Sequence, residues 1–314
     1  MRAVRVVDGA VQLAEVPAPR GGGYRVRIRS AGICGSDLHL LAARHPIGAT
    51  LGHEMAGVLD DGRPVAIEPL LPCGRCDLCA GGDYHLCREG PSSVLGVSHD
   101  GGMADEVRVP ERCLVPLPAG LDPHDACLVE PLAVAVHGLR RAGLGLGERV
   151  AVVGGGSIGL LAVVAARAAG AEVALAARHA AQVAAGLRLG APALAGEGGE
   201  HDLVVDAAGT ASALERCVEL CRPGGRLLLL ATCWEGLALP GFALSLKEVR
   251  VVPSSLYGRA GAVREIEIAA ALLAARPEIA AAVISHRLPL EAAPEAFRIA
   301  ADRKAGALKV VLEP

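Results

Sequence analysis

The fold is decided by residues 149–159, which read Arg-Val-Ala-Val-Val-Gly-Gly-Gly-Ser-Ile-Gly. The apolar run predicts a buried strand, and the glycine pattern after it opens a predicted helix. Gly154 permits a tight turn, Gly156 lets the backbone approach a pyrophosphate, and Gly159 allows close packing of helix and strand. The N–H groups and dipole at the helix N-terminus favour an anion. The stretch predicts a dinucleotide site; the alternative is a glycine-rich turn in an α/β protein that binds no nucleotide.

Predicted strands and helices alternate on both sides of this turn. The predicted strands are 149–153, 172–176, 202–206 and 226–231, and the predicted helices are 122–141, 158–169, 180–189 and 211–221. This alternation is typical of a doubly wound sheet of parallel strands. We therefore expect an α/β dinucleotide-binding domain over 137–258.

The remaining residues have a different sequence pattern. Residues 1–136 carry short alternating runs, separated by Gly and Pro clusters, at 24–29, 63–68 and 103–109. The tail predicts helices at 262–275 and 293–302 and strands at 282–287 and 308–312. Short alternating runs of this kind indicate half-buried strands. We expect 1–136 and 259–314 to form a second, β-rich domain.

The composition limits the class of protein. The chain has 314 residues, 52% apolar and 21% charged, with a formal net charge of −3. The low charge excludes a disordered chain, and the lack of a basic excess argues against nucleic-acid binding. Because we find neither a signal peptide nor an uninterrupted apolar span, we expect a cytoplasmic protein that does not enter membranes. In that reducing compartment ten cysteines favour metal ligation or free thiols over disulfides.

Four of the cysteines lie within 15 residues, at Cys73, Cys76, Cys79 and Cys87. Four soft thiolates at this spacing form a closed tetrahedral zinc site, which leaves no position open to substrate. We therefore expect a structural zinc lobe at about 73–87. The alternatives are an iron–sulfur cluster and a zinc-ribbon nucleic-acid module. Nothing else in the sequence suggests electron transfer, and no basic surface accompanies the cysteines.

A second group of possible ligands is spread along the first 133 residues. Gly-Ile-Cys-Gly-Ser-Asp-Leu-His at 32–39 precedes Gly-His-Glu-Met-Ala-Gly at 52–57, and Glu-Pro-Leu-Ala follows at 130–133. A thiolate, an imidazole and a carboxylate suit a catalytic zinc with one open position, which can polarise an alcohol or carbonyl oxygen. Taken singly, Cys34 could be a buried thiol and His53 a hydrogen-bonded core histidine.

The residues after the second predicted strand of the α/β domain bear on cofactor choice. An acidic residue there binds the ribose 2′-hydroxyl of NAD, whereas a basic residue accommodates the 2′-phosphate of NADP. The sequence reads Ala-Ala-Arg-His at 176–179, without an acidic residue before Glu197. Arg178 therefore favours NADP over NAD. The alternative is that Arg178 stacks on adenine or faces solvent.

Together these motifs resemble the zinc-containing medium-chain alcohol dehydrogenases, especially the polyol and sorbitol dehydrogenase branch. The resemblance covers nearly the whole chain and includes Asp-Ala-Ala-Gly at 206–209, Arg-Pro-Gly-Gly at 222–225 and Lys-Val-Val-Leu at 309–312. It implies a GroES-like β-rich catalytic domain beside a Rossmann doubly wound domain. It implies reversible hydride transfer between NAD(P) and a secondary alcohol, polyol or cyclitol, with two zinc ions per chain. It also implies a homodimer or homotetramer.

The resemblance assigns the metal ligands. Cys34 and His53 would bind the catalytic zinc, and Glu54 is a ligand in some members and some states. Glu130 stands where the polyol branch has a glutamate that binds zinc or its water. Asp37 would be the carboxylate that orients His53.

It also assigns the proton path and the cofactor pocket. Ser36 and His39 would carry a proton from the zinc-bound hydroxyl to solvent, unless His39 is only a surface histidine. The strand ends 230–232 and 254–256, with Thr232 and Ser255, would line the nicotinamide pocket. The remaining cofactor contacts would come from Gly154, Gly156, Ile158, Gly159 and Arg178.

The sequence departs from the family around the substrate. The chain is shorter than typical members, chiefly between 39 and 52 and between 57 and 65. Leu40 and Leu256 stand where sorbitol dehydrogenases have a tyrosine and an arginine. Loss of two polar contacts argues against sorbitol and favours a less polar or differently shaped secondary alcohol.

Two other functions remain alternatives. One is a reductase of the same fold that acts on an activated double bond or an aldehyde, which would lack the set Ser36, His39 and Glu130. The other is a catalytically silent zinc-binding protein, which would lack Cys34 or His53. All five residues are present.

Overall fold

The computed structural model describes residues 1–45, 47–90, 93–194, 199–234 and 236–314. Its internal contacts divide the chain into two units. Unit 1 contains Met1–Glu130, Gly258–Ala280 and Ile284–Pro314, and unit 2 contains Pro131–Tyr257 and Ala281–Val283. The first division lies inside a continuous helix, six residues before the expected boundary at 136. The difference arises because this helix packs with unit 2 from its third residue onward.

Unit 1 begins with short strands joined by turns. The strands are β1 (Arg2–Val7), β2 (Ala10–Glu15), β3 (Tyr24–Gly32), β4 (Glu54–Leu59), β5 (Pro64–Ile67), β6 (Glu106–Val109) and β7 (Leu114–Pro116). The helices between them are α1 (Gly35–Ala42) and α2 (Asp77–Ala80), with 3₁₀ turns at Tyr84–Leu86, Glu111–Cys113 and Ala126–Leu128.

Unit 2 follows the alternation expected of an α/β domain. Its elements are α3 (Val129–Arg141), β8 (Arg149–Val153), α4 (Ser157–Ala168), β9 (Glu172–Ala176), α5 (Ala180–Arg188), β10 (His201–Asp206), α6 (Ala211–Leu220), β11 (Cys221–Leu229), α7 (Gly241–Leu246) and β12 (Arg250–Pro253). The rest of the chain contains β13 (Arg259–Ala260), β14 (Val263–Arg264), α8 (Glu265–Ala274), α9 (Glu278–Val283), β15 (Ile284–Pro289), α10 (Ala293–Ala301) and β16 (Lys309–Glu313), with 3₁₀ turns at Leu290–Ala292 and Arg303–Ala305.

The main sheet of unit 1 is mostly antiparallel. Its strand order is β15-β16-β3-β4-β5-β7, with β6 also paired to β3. Pairing of β3 with β4 places Gly32 opposite Glu54, and pairing of β3 with β16 places Gly32 opposite Val311. The buried core includes Ile28, Met55 and Leu312. This register brings the end of β3, the start of β4 and the start of β16 to one place in the unit.

The sheet of unit 2 is parallel. Its described strands have the order β12-β11-β10-β8-β9. β9 follows β8 on one side and β10 lies on the other side, so the strand order reverses at β8 and a crevice is expected outside the carboxyl ends of β8 and β10. β8 from Val150 to Val153 is almost fully buried, as expected for a strand covered on both faces. The predicted α/β class with a second β-rich domain is confirmed.

Several predicted elements have different bounds. The helix predicted at 122–141 begins only at Val129, after a 3₁₀ turn, and the strand predicted at 226–231 begins earlier, at Cys221. Of the strand predicted at 103–109, only β6 is a strand, because Ala104 makes an isolated bridge to Ala3 instead.

The alanine-rich run before β15 was misassigned. Residues 282–287 were predicted as strand, but α9 continues to Val283 before β15 begins. Alanine is the strongest helix former, and the three alanines at 280–282 favour a helix that continues to Val283. Among the described helices, none combines the length and apolar character needed to cross a bilayer.

The glycine-rich turn yields a test of packing. A Cβ on Gly159 would lie 1.9 Å from the carbonyl oxygen of Gly154, whereas a Cβ on Gly156 would meet nothing within 4 Å. Gly159→Ala gains about 1 kcal/mol of helix propensity but forces backbone movement that costs more. We expect Gly159→Ala to lower the midpoint of thermal unfolding and Gly156→Ala to leave it nearly unchanged. Equal midpoints for both variants would contradict this packing.

Candidate active site and metal centres

The four-cysteine lobe has the geometry of a tetrahedral metal site. The four sulfur atoms of Cys73, Cys76, Cys79 and Cys87 all lie within 4.8 Å of one another. Cys73 Sγ lies 3.8 Å from Cys79 Sγ, and a tetrahedron with Zn–S bonds of about 2.3 Å has edges of about 3.8 Å. The described thiols form no disulfide. The donor set and its spacing therefore fit zinc.

Backbone amides support the thiolates of the lobe. The N–H of Cys73 donates to Cys87 Sγ over 3.3 Å, and the N–H of Cys76 donates to Cys73 Sγ over 3.4 Å. The Cys73 amide lowers the pKa of Cys87 to about 6, whereas burial raises the pKa of Cys79 to about 12. Four thiolates at this distance repel one another, so a cation is needed to keep them all charged.

A second group of ligand atoms lies at the junction of β3, α1 and β4. Cys34 is the residue that precedes α1, His53 precedes β4, and Glu54 is the first residue of β4. Their ligand atoms all lie within 4.8 Å of one another. Residues far apart in sequence meet here because β3 and β4 pair beside α1. A thiolate, an imidazole and a carboxylate fit a zinc site of the open, catalytic kind.

Asp37 holds this group together. Its Oδ2 accepts a hydrogen bond from the N–H of Cys34 at 3.0 Å, and its Oδ1 lies 3.4 Å from His53 Nδ1. Although burial lowers the pKa of His53, the negative charges of Asp37 and Cys34 raise it further, so the pKa lies well above its usual value. These charges stabilise a proton on the imidazole itself, so a metal ion that binds His53 would have to displace that proton.

The two residues expected to carry protons lie on α1. Ser36 Oγ is 3.4 Å from His53 Nε2, the ring nitrogen on the opposite side from Asp37. His39 is exposed on the last turn of α1. Residues three apart share a helix face, so Ser36 and His39 lie along one side of α1.

The two candidate carboxylates have different surroundings. Both oxygens of Glu54 accept hydrogen bonds from Lys309 Nζ, at 2.7 and 2.6 Å, and both side chains are buried. Lys309 also donates to the carbonyl of Ile33. Glu130 is buried in the first turn of α3, but within the described residues its carboxylate does not join the group formed by Cys34, His53 and Glu54.

Sequence reasoning missed the role of Lys309. It was noted only within a terminal motif, although a lysine among apolar strand residues signals a buried partner. The chain contains only three lysines, and this one is 1% exposed. Burial lowers the pKa of Lys309, but the charge of Glu54 raises it above its usual value, so the ammonium stays charged.

The predicted cofactor residues of unit 2 share one edge of its sheet. Gly154 follows β8 with φ +112°, Gly156 precedes α4, and Ile158 and Gly159 lie in the first turn of α4. Thr232 and Ser255 are exposed beyond the carboxyl ends of β11 and β12, and Arg178 is exposed beyond β9. Because all these strands are parallel, their carboxyl ends meet at the same edge.

Asp206 and Ser212 complete this edge and were not predicted as site residues. Asp206 Oδ1 accepts hydrogen bonds from the N–H groups of Ala208 and Gly209, each at 3.0 Å, and burial raises the pKa of its carboxyl. Arg178 donates from Nη2 to Ser212 Oγ at 2.9 Å. Within the described residues no ion pair joins Arg178 to an acidic side chain. Its positive charge is therefore not neutralised by a carboxylate at this edge of the sheet.

A sheet edge built for a dinucleotide and a Cys-His-carboxylate group define a zinc-binding, dinucleotide-dependent dehydrogenase. Comparison with known families agrees. The alcohol dehydrogenase GroES-like domain matches residues 20–119, and the zinc-binding dehydrogenase family matches residues 157–275. The chain therefore belongs to the zinc-containing alcohol dehydrogenases, in their polyol dehydrogenase branch, and is an oxidoreductase that acts on CH–OH groups with NAD(P).

Individual relatives are similar over most of the chain. L-Galactonate-5-dehydrogenase of Escherichia coli K12 is 34% identical over 69% of this chain and 71% of its own length. The crystal structure of galactitol-1-phosphate dehydrogenase from Escherichia coli has a TM-score of 0.88 and 30% identity, and the match covers all of both chains. A zinc-binding dehydrogenase from Sinorhizobium meliloti 1021 bound to NADP has a TM-score of 0.87 and 31% identity over 100% of this chain and 99% of its own.

The buried pair of Glu54 and Lys309 gives a stability prediction. Lys309→Met leaves a buried carboxylate without its partner, which costs about 3–5 kcal/mol. We expect a large drop in the midpoint of thermal unfolding for Lys309→Met and recovery of most of it in Glu54→Gln/Lys309→Met. Lys304→Met, at an exposed position, is the matched control and should change little. A Lys309→Met midpoint equal to that of the control would show that the pair does not stabilise unit 1.

Proposed function

We propose that this chain oxidises a secondary hydroxyl of a polyol, a cyclitol or a related sugar acid with NADP, reversibly, at the group formed by Cys34, His53 and a carboxylate. The observation that carries the proposal is this group, whose ligand atoms lie within 4.8 Å of one another and whose imidazole is held by Asp37. The family relationship supports the chemistry, and the named relatives support the substrate class.

Two zinc ions are proposed per chain. Cys34, His53 and one carboxylate would hold the catalytic ion, and Cys73, Cys76, Cys79 and Cys87 would hold the structural one. Zinc at the open site supplies a positive charge that stabilises the alkoxide form of an alcohol, and the nicotinamide accepts the hydride. Both oxygens of Glu54 already accept hydrogen bonds from Lys309. We therefore propose that Glu130, which lies outside the group in this structure, moves toward it to serve as the resting carboxylate, and that Glu54 ligates in another state.

The chain's own residues would move the proton. Ser36 Oγ stands beside the ligand nitrogen of His53, where it can accept the proton of an alcohol held at the open position. His39, exposed on the same face of α1, would pass that proton to solvent. General acid–base assistance of this kind contributes about 100-fold or more to a rate.

Arg178 supports NADP as the preferred cofactor. Its guanidinium is held by Ser212 and lies beyond the second strand of the domain, where the 2′-phosphate of a bound NADP is expected. A Cβ added to Gly156 would meet no atom within 4 Å, and this open space leaves room for the pyrophosphate. The NADP-bound relative of Sinorhizobium meliloti is consistent with this choice.

We further propose a homodimer or homotetramer in the cytoplasm. Phe242 and Leu246, four residues apart on α7, are 80% and 70% exposed. Large apolar side chains exposed together are typical of surfaces that associate. The cytoplasm follows from the cysteine ligands, which must stay reduced to bind zinc.

Zinc content tests the assignment of two sites. We expect about two zinc ions per wild-type chain, because the two donor sets are separate. Cys34→Ser and Cys73→Ser should each lose one ion, and Cys217→Ala, a buried thiol outside both groups, should lose none. Elemental analysis of purified protein provides the count. Full zinc content in Cys34→Ser would remove the catalytic-site assignment.

Cofactor choice is tested at Arg178. A hydrogen bond to a charged group contributes about 1.5–3 kcal/mol. Arg178→Ala should therefore raise the KM for NADP about 10- to 150-fold, converted at about 1.4 kcal/mol per tenfold, while the KM for NAD changes little. Initial-rate measurements with both cofactors give the two constants. An equal effect on both cofactors would contradict a 2′-phosphate contact.

Activity itself is tested with polyols, cyclitols, sugar acids and simple secondary alcohols, each with both cofactors. We expect NADP reduction with at least one polyhydroxylated substrate, and a loss of about 100-fold in kcat for Ser36→Ala, since proton removal is impaired. Zinc content and cofactor affinity of Ser36→Ala should match wild type. Full activity of Ser36→Ala would contradict the proposed proton path.

A further inference from the structure

The four-cysteine lobe, residues 73–87, contacts a segment far away in sequence. This return segment, residues 258–265, is where the chain re-enters unit 1 after unit 2. The N–H of Arg259 donates to the carbonyl of Gly82 at 3.1 Å. A Cβ on Gly258 would lie 2.7 Å from the same carbonyl oxygen and 2.9 Å from His85 Nδ1. The lobe and the return segment are therefore packed without space for even a methyl group.

A buried polar network connects the two further. The hydroxyl of Tyr84, inside the lobe, donates to Glu68 Oε1 at 2.5 Å and reaches the carbonyl of Gly258 at 3.3 Å. Arg264 donates to Glu68 Oε2 at 3.0 Å, and Glu265 accepts from the N–H of Gly258 at 2.7 Å. Glu68 is 4% exposed and Glu265 is fully buried. Charges buried this deeply hold their partners in place, because breaking one contact leaves a costly unpaired group.

The residues just before the return segment belong to the proposed cofactor edge of unit 2. Ser255 lies three residues before Gly258 in sequence. Between them, Leu256 has φ +56°, a left-handed conformation that costs a residue with a side chain about 1–2 kcal/mol. Tyr257, next in the chain, is fully buried. Strain of this kind persists only where the surrounding structure fixes the backbone, and it concentrates at functional sites.

We propose that the lobe acts as a clamp on the return segment, so that metal bound in the lobe and cofactor bound near Ser255 stabilise each other. A lobe without metal would release Gly82 and Tyr84 from Gly258 and Arg259. The backbone that leads from these residues back to Leu256 and Ser255 would then lose its anchor. The inference rests on the proposed function, because it takes Ser255 as a cofactor contact. Coupling between two binding sites is reciprocal, so cofactor must raise the equilibrium affinity of the lobe for its metal by the same factor. Because differences in affinity between related complexes lie mostly in the dissociation rate, we expect this gain as slower loss of the metal.

The experiment measures zinc transfer to a chromogenic chelator. The full chain carrying Cys34→Ser retains only the lobe zinc, so that a single ion is followed. We expect saturating NADP to slow its release about fivefold or more, the low end of typical coupling between sites. Wild type should release zinc in two phases, and the phase that is missing in Cys73→Ser belongs to the lobe. NADP should slow that phase of wild type to the same extent, which checks that the Cys34→Ser substitution does not itself cause the effect.

Two variants and one control locate the coupling. Tyr84→Phe removes the hydroxyl shared by Glu68 and Gly258, and Gly258→Ala pushes the lobe away from the return segment. In each variant NADP should slow zinc release from the lobe less than about twofold, and the Kd for NADP should rise about threefold or more. We call the slowing of zinc release by NADP its protection of the lobe. Arg88→Ala removes the exposed ion pair of Arg88 with Asp77 of the lobe. It leaves the contacts of Tyr84 and Gly258 in place and should retain the full protection.

The outcomes separate the clamp from the proposed function. If the full chain carrying Cys34→Ser binds NADP with a measurable Kd but NADP does not slow its zinc release, the clamp is wrong and the proposed function stands. Equal protection in Tyr84→Phe, Gly258→Ala and Arg88→Ala also overturns the clamp. If calorimetry detects binding of neither NADP nor NAD to wild type, the proposed function fails, and the clamp fails with it.

Discussion

The buried ion pair between Glu54 and Lys309 is the constraint on which the proposed catalytic centre depends. Each side chain alone would lose several kcal/mol of hydration, so each must meet the other. Lys309 Nζ also binds the carbonyl of Ile33, the residue before Cys34. The pair thereby fixes β16 against the end of β3 and the start of β4, where Cys34 and His53 are held. A strand from the end of the chain thus sets the position of ligands near its beginning.

The two proposed metal centres differ in how much of the fold they require. The lobe draws its four sulfurs from 15 residues, so sequence spacing alone predicted it, and the 3.8 Å between Cys73 and Cys79 fits that prediction. The other centre needs the pairing of β3 with β4 to bring Cys34 to His53. Spacing alone could not predict that approach; the residue types suggested a zinc site, and the resemblance to a family assigned its ligands. This difference is consistent with their proposed roles, since a closed site stabilises the fold and an open one depends on its surroundings.

Elsewhere too, features set by local sequence were predicted, and features set by contacts between distant residues were not. β8 and β9 were predicted with their observed bounds, because buried parallel strands form uninterrupted apolar runs. The contacts of Glu54 with Lys309, and of Tyr84 with Gly258, were not predicted. They join residues 255 and 174 positions apart, and no local pattern encodes such a pairing. The alanine-rich α9 was missed because apolar residues without clear periodicity do not distinguish a short helix from a strand.

The central claim is that Cys34, His53 and a carboxylate form a zinc site distinct from the four-cysteine lobe. Zinc K-edge X-ray absorption measures the average ligands around every zinc atom in the purified protein. With four sulfurs in one site and one in the other, the account predicts about 2.5 sulfur ligands per zinc at about 2.3 Å, with nitrogen or oxygen completing the shells at about 2.0–2.1 Å. An average of about four sulfurs, without nitrogen or oxygen, would show that only the lobe binds zinc and would contradict the account.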